Sequence, residues 1–184
     1  MILPIYTYGL PVLRKETDDV PTDFPELETL VQDMFDTLTK SEGVGLAAPQ
    51  IGRSLRLLVV DLDALKDEEP AYEGFRKAYI NPRILSYGKE QDSFTEGCLS
   101  LPGINESVKR PTSILLAWED MQRQAHEEWI DGILASVLQH ECDHLDGKVF
   151  TDRLSPLRKQ MVKKKLQALS KGKVSAAYRV KTPH

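Results

Sequence analysis

Two histidines and a glutamate lie close together in the segment His140-Glu141-Cys142-Asp143-His144. If this segment is helical, His140 and His144 project from one face, one turn apart, and both imidazoles can bind a single metal ion. Glu141 then faces the open position of the metal, where it can accept a proton from water and later deliver it to a leaving amine. Cys142 points away from that face, so we interpret it as a packing residue. The motif indicates metal-assisted hydrolysis.

A catalytic site of this kind has three protein ligands and keeps a further position for water. A thermolysin-like peptidase would take the third ligand from a later glutamate, but no glutamate follows Glu141. A metzincin would have a third histidine where this chain has Phe150. Cys98, in the segment EGCLS, remains as a candidate third ligand. Taken alone, a cysteine in such a segment is more often a core residue, so both roles stay open.

The hydrophobic pattern predicts the elements that position these residues. Apolar residues at helical spacing predict a helix over Pro25–Lys40, with Pro25 in its first turn. The same spacing predicts a largely apolar, buried helix from Ile133 to Leu145 that carries the two histidines, bracketed by Gly132 and Gly147. A last helix is predicted from residue 155 or 156 to about residue 170.

Short apolar, β-branched runs predict strands at residues 56–61, 78–85 and 113–118. An acidic loop at residues 66–74 separates the first two of these strands. Because loops rather than regular helical crossovers join the strands, we expect an α+β fold. Its mostly antiparallel sheets would pack around the buried central helix that carries HExxH, with a further helix toward the C-terminus.

The charges divide the chain into two parts. The sequence has 184 residues and a formal net charge of −4, but all 28 acidic residues lie within residues 1–156. Residues 157–184, here called the basic tail, contain nine basic residues and no acid. We therefore predict one catalytic domain over residues 1–156 that holds every candidate site residue, followed by a basic helix and tail. The tail either presents a solvated helix face or binds ribosomal RNA through its positive charges.

Composition limits the other classes of protein. No apolar run is long enough for a membrane span, so a membrane protein is not expected. The first residues lack a basic stretch ahead of the apolar one, and Pro4 interrupts them, which argues against a secretory signal. We therefore expect a cytoplasmic protein with two free cysteines. Nothing in the sequence indicates a DNA partner.

Three segments of the chain resemble the motifs of a known family. GVGLAAPQ (Gly43–Gln50), EGCLS (Glu96–Ser100) and QHECDHLDG (Gln139–Gly147) are similar to the three motifs of peptide deformylase. They occur in that family's order and at similar spacing, and PIYTYGLPVLRK near the start is also similar. Three motifs in register are much more specific than HExxH alone.

This resemblance implies removal of the formyl group from the N-formylmethionine of nascent chains, with release of formate. It implies a divalent metal ion held by Cys98, His140 and His144, usually Fe(II) in the cell. The same ligand set also accepts Ni, Co or Zn. Metal-bound hydroxide would attack the formyl carbonyl, with Glu141 as general base and then general acid.

The resemblance also assigns the oxyanion of the tetrahedral intermediate to two donors, the Gln50 side-chain amide and the Leu99 backbone N–H. The glycines of the first motif would let the substrate backbone approach and pair with Val44 and Gly45 as an added strand.

Selectivity for methionine needs an apolar pocket beside the metal. Helical geometry places Ile133 and Val137 on the His140 side of the helix, so with Val44 they are candidates for its wall; core packing explains the first two equally well. Glu96 either pairs with Arg110 and orients EGCLS or lies at the surface. Two other functions stay open: another metal-dependent amidase or peptidase, and a ribosome-associated module without catalysis.

Overall fold

Nine strands, three α-helices and five short 3₁₀ helices make up the computed structural model, which describes all 184 residues. The strands are β1 (Ile5–Tyr6), β2 (Gly45–Ala47), β3 (Leu57–Asp61), β4 (Arg76–Tyr87), β5 (Gln91–Cys98), β6 (Leu101–Pro111), β7 (Ser113–Glu119), β8 (Ala125–Asp131) and β9 (Val180–Lys181). The helices are α1 (Leu27–Lys40), α2 (Gly132–Leu145) and α3 (Pro156–Ser170).

The strands form three sheets. Five of them make an antiparallel sheet in the order β2-β3-β4-β7-β8, with β2 at one edge. Strands β5 and β6 form a separate antiparallel ribbon, and the short β1 and β9 pair in parallel. The expected α+β fold with mostly antiparallel sheets is confirmed.

Successive side chains of β3, next to the edge strand β2, pack alternately against two different helices. In β3, Leu57 and Val59 belong to the apolar cluster that contains the buried face of α1. Their neighbours Leu58 and Val60 belong to the cluster that contains α2. Because successive side chains in a strand point to opposite faces, this part of the sheet lies between the two helices. The continuous apolar run LLVV is therefore buried on both faces.

Helix α2 is the central helix that the sequence predicts. One side packs on the five-stranded sheet through Leu138, Cys142 and Leu145. On another side Gln139 donates to the Pro111 carbonyl of β6 at 2.9 Å, so α2 lies between the sheet and the β5–β6 ribbon. Gly147, just past the helix, has φ +74°. A Cβ there would come 2.7 Å from the Arg14 carbonyl oxygen, so only glycine fits this turn.

Helix α3 packs Val162 and Leu169 against an apolar cluster with residues of β6. The chain then turns back, and Val180 in β9 pairs with Ile5 in β1. The basic tail therefore does not extend away from the body. The proposed domain boundary at residue 156 stays a prediction.

Some expected boundaries were wrong. Pro25 precedes α1 instead of lying in its first turn, because Leu27 N–H donates to the Phe24 carbonyl at 3.1 Å and closes a turn around Pro25 and Glu26. Strands β6, β8 and most of β5 were not predicted, because they are rich in polar residues and carry no clear alternation. Strands β1, β2 and β9 were not predicted either, because each has only two or three residues. None of the helices has the length and apolar character needed to span a membrane.

We expect Leu138→Ala to lower the free energy of unfolding by about 2–5 kcal/mol, because this side chain is fully buried between α2 and the sheet and its loss leaves a cavity. Urea denaturation measures the change. Leu157→Ala is the matched control: Leu157 lies on α3 with 73% of its surface exposed, so its loss should change stability by less than about 0.5 kcal/mol. Equal effects of the two substitutions would contradict the central position of α2.

Candidate metal centre

Three potential metal ligands converge between α2 and the end of β5. The ligand atoms of Cys98, His140 and His144 all lie within 4.8 Å of one another. Cys98 Sγ is 3.3 Å from His144 Nε2, and both histidines are buried. Residues 42 positions apart in the chain meet here because the β5–β6 ribbon packs against α2. The set of one thiol and two imidazoles suits a first-row divalent metal with an open position for water.

A buried carboxylate orients the first histidine. His140 Nδ1 lies 2.8 Å from Glu96 Oε1, and since a carboxylate can only accept, Nδ1 carries the proton and Nε2 is left to bind a metal. Arg110 Nη2 donates to the same Glu96 oxygen at 2.9 Å. Burial disfavours ionisation of Glu96, but the hydrogen bonds from Arg110 and then His140 outweigh it and lower its pKa. The predicted Glu96–Arg110 pair is present and lies in the interior.

The sequence did not reveal that this network continues through the HExxH motif itself. Arg110 Nη1 donates to Asp143 Oδ2 at 3.1 Å, and Arg153 Nη2 donates to Asp143 Oδ1 at 2.6 Å. Asp143 is buried. In the sequence, the only sign that it needs a partner is that a charged residue lies on an apolar helix. The partners of Asp143 are Arg110 and Arg153, which reach it because β6 and residues 150–153 pack against α2. No rule of sequence spacing connects these arginines to Asp143.

Glu141 is 4% exposed and lies beside the ligand set. Its Oε2 atom is buried and has no hydrogen-bond partner in the protein. Burial raises the pKa of Glu141 to about 7. An unpaired buried carboxylate oxygen is costly unless another group meets it, so this atom fits a site that takes up a metal ion and its water.

Gly45 makes room for Glu141. A Cβ on Gly45 would lie 2.7 Å from Glu141 Oε1 and 2.9 Å from Cγ, closer than real atoms approach. The sequence assigned this glycine only to contact with a substrate backbone. In the structure its missing side chain also allows the carboxylate to reach the metal centre.

The first motif also brings the Gln50 amide to the centre. Gln50 Oε1 accepts from the Ala47 N–H at 2.9 Å, which directs Nε2 toward Ser100 Oγ at 3.1 Å and Cys98 Sγ at 3.5 Å. Leu99 follows the ligand cysteine in a two-residue turn between β5 and β6. The Leu99 N–H donates to no group of the protein.

A cleft with a volume of about 840 Å³ opens onto these residues. His140, Glu141, Gln50, Cys98 and Leu99 line it. The four residues expected to contact substrate border the same cleft, namely Val44, Gly45, Ile133 and Val137. Ile133 is 38% exposed, whereas Val44 and Val137 are half-buried and also pack against the core beneath the cleft.

One expectation about the basic tail is wrong. We expected the tail to hold no residue of the site, but residues 175–178 form part of the cleft wall. Tyr178 Oη donates to the Leu99 carbonyl at 2.6 Å. Pairing of β9 with β1 brings this segment back to the cleft, and such a long-range contact has no signal in local sequence.

The fold and the site together define a metallohydrolase, since a thiol and two imidazoles stand beside a buried glutamate in an open cleft. Comparison with known proteins agrees. The sequence model of the family described as Polypeptide deformylase matches residues 2–160. A peptide deformylase of Christiangramia forsetii is 42% identical over 191 residues, covering 100% of this chain and 97% of that protein.

Solved structures are similar over most of the chain. Peptide deformylase of Plasmodium falciparum superposes with a TM-score of 0.83 at 33% identity, covering 91% of this chain and 95% of that one. Peptide deformylase of Thermus thermophilus superposes with a TM-score of 0.82 at 36% identity, covering 94% of this chain and 100% of that one. The chain belongs to the peptide deformylase family. It is a deformylase, a hydrolase of a metal-dependent family that acts in N-terminal processing during protein biosynthesis.

We expect Glu96→Gln to weaken metal binding by about 10–100-fold, because the carboxylate that orients His140 and balances Arg110 is lost. Competition with a chromogenic chelator measures the affinity. Glu90→Gln removes an exposed carboxylate from the turn before β5 and should leave the affinity unchanged. Equal affinity of Glu96→Gln and the wild-type protein would show that His140 needs no such partner.

Proposed function

We propose that the enzyme removes the formyl group from N-formylmethionine at the start of nascent polypeptides and releases formate. The observation that carries this proposal is the convergence of Cys98, His140 and His144 with the unpaired Glu141 carboxylate in one open cleft. Membership of the peptide deformylase family supports the substrate.

Cys98, His140 and His144 would hold one divalent metal ion per chain, and we propose Fe(II) as the ion in the cell, with Ni, Co or Zn able to take its place. The bound ion would lower the pKa of a water molecule and polarise the formyl carbonyl. With three ligands from the protein, the ion would stay open to oxygen ligands. The Glu96 carboxylate keeps His140 in the tautomer that can bind.

Glu141 would move the proton. Its carboxylate accepts a proton from the attacking water and then donates it to the amine that leaves as the formyl C–N bond breaks. A raised pKa of about 7 suits a group that must hold and release a proton near neutral pH.

Two donors would stabilise the negative charge that develops on the formyl oxygen. The Gln50 amide is fixed by its bond from the Ala47 N–H, so its Nε2 group faces the centre without rearrangement. The Leu99 N–H is free to donate. Preorganised donors of this kind are effective because they need no reorientation as charge forms.

The edge strand β2 would bind the peptide part of the substrate. Asp61 N–H donates to the Val44 carbonyl at 2.9 Å, and hydrogen-bonded and non-bonded pairs alternate along an antiparallel ladder. Gly45, the next residue and opposite Val60, therefore turns its N–H and carbonyl toward the free edge. A peptide there adds a strand, and the methionine side chain enters the pocket between Val44, Ile133 and Val137.

Protein purified without oxygen should contain about one metal ion per chain and release formate from a formyl-methionyl tripeptide. Glu141→Ala should keep the metal but lose turnover by about 10²–10⁴-fold, because the proton acceptor is gone. Cys98→Ala should lose or weaken the metal, because a ligand is gone. Elemental analysis and a formate assay on the same samples measure both properties.

Each alternative has its own result. If the purified protein contains no metal, both hydrolase functions are excluded. If it contains metal and cleaves internal peptide bonds but releases no formate, another amidase or peptidase is favoured. A Cys98→Ala enzyme with unchanged metal content and rate would overturn the ligand assignment. A Glu141→Ala enzyme that turns over normally would overturn the proton path.

We further propose that the enzyme works in the cytoplasm, where α3 docks on ribosomal RNA. Lys163, Lys164 and Lys165 are consecutive and exposed on α3. No acidic residue of the basic tail compensates them. Lys159 and Lys163 also border a shallow groove between α3 and Tyr8. Clustered cations of this kind bind phosphate backbones in a salt-dependent way.

Replacing Lys163, Lys164 and Lys165 by glutamine should weaken ribosome binding and reduce the slope of log affinity against log salt by about two. Co-sedimentation with ribosomes over a salt series measures both. The matched control replaces three exposed lysines of the body, Lys40, Lys66 and Lys89. Identical salt slopes for the two triple variants would end the proposal. Substitution is preferable to deletion of the tail, because deletion also removes residues 175–178 from the cleft.

A further inference from the structure

The segment that follows α3 contacts the turn formed by Leu99 and Ser100, here called the catalytic turn. Residues 174–181, here called the return segment, run along the cleft before pairing with β1 through β9. Within it, Tyr178 Oη donates to the Leu99 carbonyl at 2.6 Å, across 79 positions of sequence. The Polypeptide deformylase family model matches residues 2–160, so Leu99 lies inside the matched region and Tyr178 lies outside it.

The turn that Tyr178 contacts has few other restraints. Leu99 and Ser100 connect β5 to β6 and lie outside the ladder of the two strands. The Ser100 carbonyl accepts from the Tyr8 N–H at 2.9 Å, and Ser100 Oγ accepts from Gln50 Nε2 at 3.1 Å. The Leu99 carbonyl has one partner within the protein, the Tyr178 hydroxyl.

The position of Tyr178 is itself well determined. Its ring is half-buried and packs against the same apolar cluster as Leu99 and Val180. Two residues later, Val180 pairs with Ile5, which is fully buried. The hydroxyl is therefore held by packing on one side and by a strand pair on the other, and it can act as a fixed donor.

We propose that Tyr178 is a positioning residue that fixes the orientation of Leu99 in the catalytic turn. This proposal rests on the proposed function, in which the Leu99 N–H stabilises the formyl oxygen. Cys98 anchors Leu99 from the preceding residue, and the Tyr178 bond restrains the following peptide group. With both sides held, the Leu99 N–H, which has no partner in the protein, keeps one orientation at the cleft. The return segment is then part of the catalytic unit, although it lies in the basic tail.

The test is Tyr178→Phe, which keeps the ring and removes only the hydroxyl. We expect kcat on a formyl-methionyl tripeptide to fall about tenfold, less than the 10²–10³-fold that loss of a whole oxyanion donor costs. KM, metal content and the temperature of unfolding should stay at wild-type values, since substrate contacts, ligands and ring packing are unchanged. Tyr87→Phe is the control: Tyr87 is 53% exposed, and its substitution should leave kcat unchanged.

Other results would overturn the proposal. An unchanged kcat in Tyr178→Phe would show that Leu99 is oriented without the hydroxyl. A kcat that falls together with metal content or unfolding temperature would make Tyr178 a structural anchor only. A raised KM at constant kcat would make it a substrate contact. A wild-type enzyme that releases no formate would overturn the proposed function itself, which separates that failure from a failure at Tyr178.

Discussion

The buried ion pairs around Arg110 are the interaction on which the rest of the site depends. Arg110 is 2% exposed and binds Glu96 on β5 and Asp143 on α2, so it joins the ribbon to the central helix. The two carboxylates compensate the desolvation of Arg110, and Arg153 supplies a second cation to Asp143. Removing any one partner would leave an uncompensated buried charge, which typically costs about 3–5 kcal/mol. Such a network fixes one geometry between β5 and α2.

That geometry places the thiol of Cys98 beside the two imidazoles. The ribbon supplies Cys98 and the carboxylate that orients His140, while the helix supplies both histidines and Glu141. The edge strand β2 completes the centre, because Gly45 leaves space for the Glu141 carboxylate. The β5–β6 ribbon, α2 and β2 thus each make a different contribution to the metal centre.

The basic tail contributes to the enzyme in two separate ways. The basic tail carries the positive charge that we assign to ribosome docking, and its last strand also reaches the cleft. Charge and position are separate properties of the same segment: the lysines of α3 face solvent, whereas Tyr178 packs inward against Leu99. Docking and catalytic geometry can therefore be tested with different substitutions.

The sequence by itself determined the ligand-bearing helix, its burial and the family, because helical spacing and three short motifs are local properties of the chain. It also indicated the pair of Glu96 with Arg110, though not its burial. Only the tertiary structure decided the partners of Asp143, the clearance at Gly45 and the approach of Tyr178 to Leu99. These contacts join residues far apart in the chain. They follow from how the ribbon, the helix and the last strand pack, and periodicity within a segment carries no information about such packing.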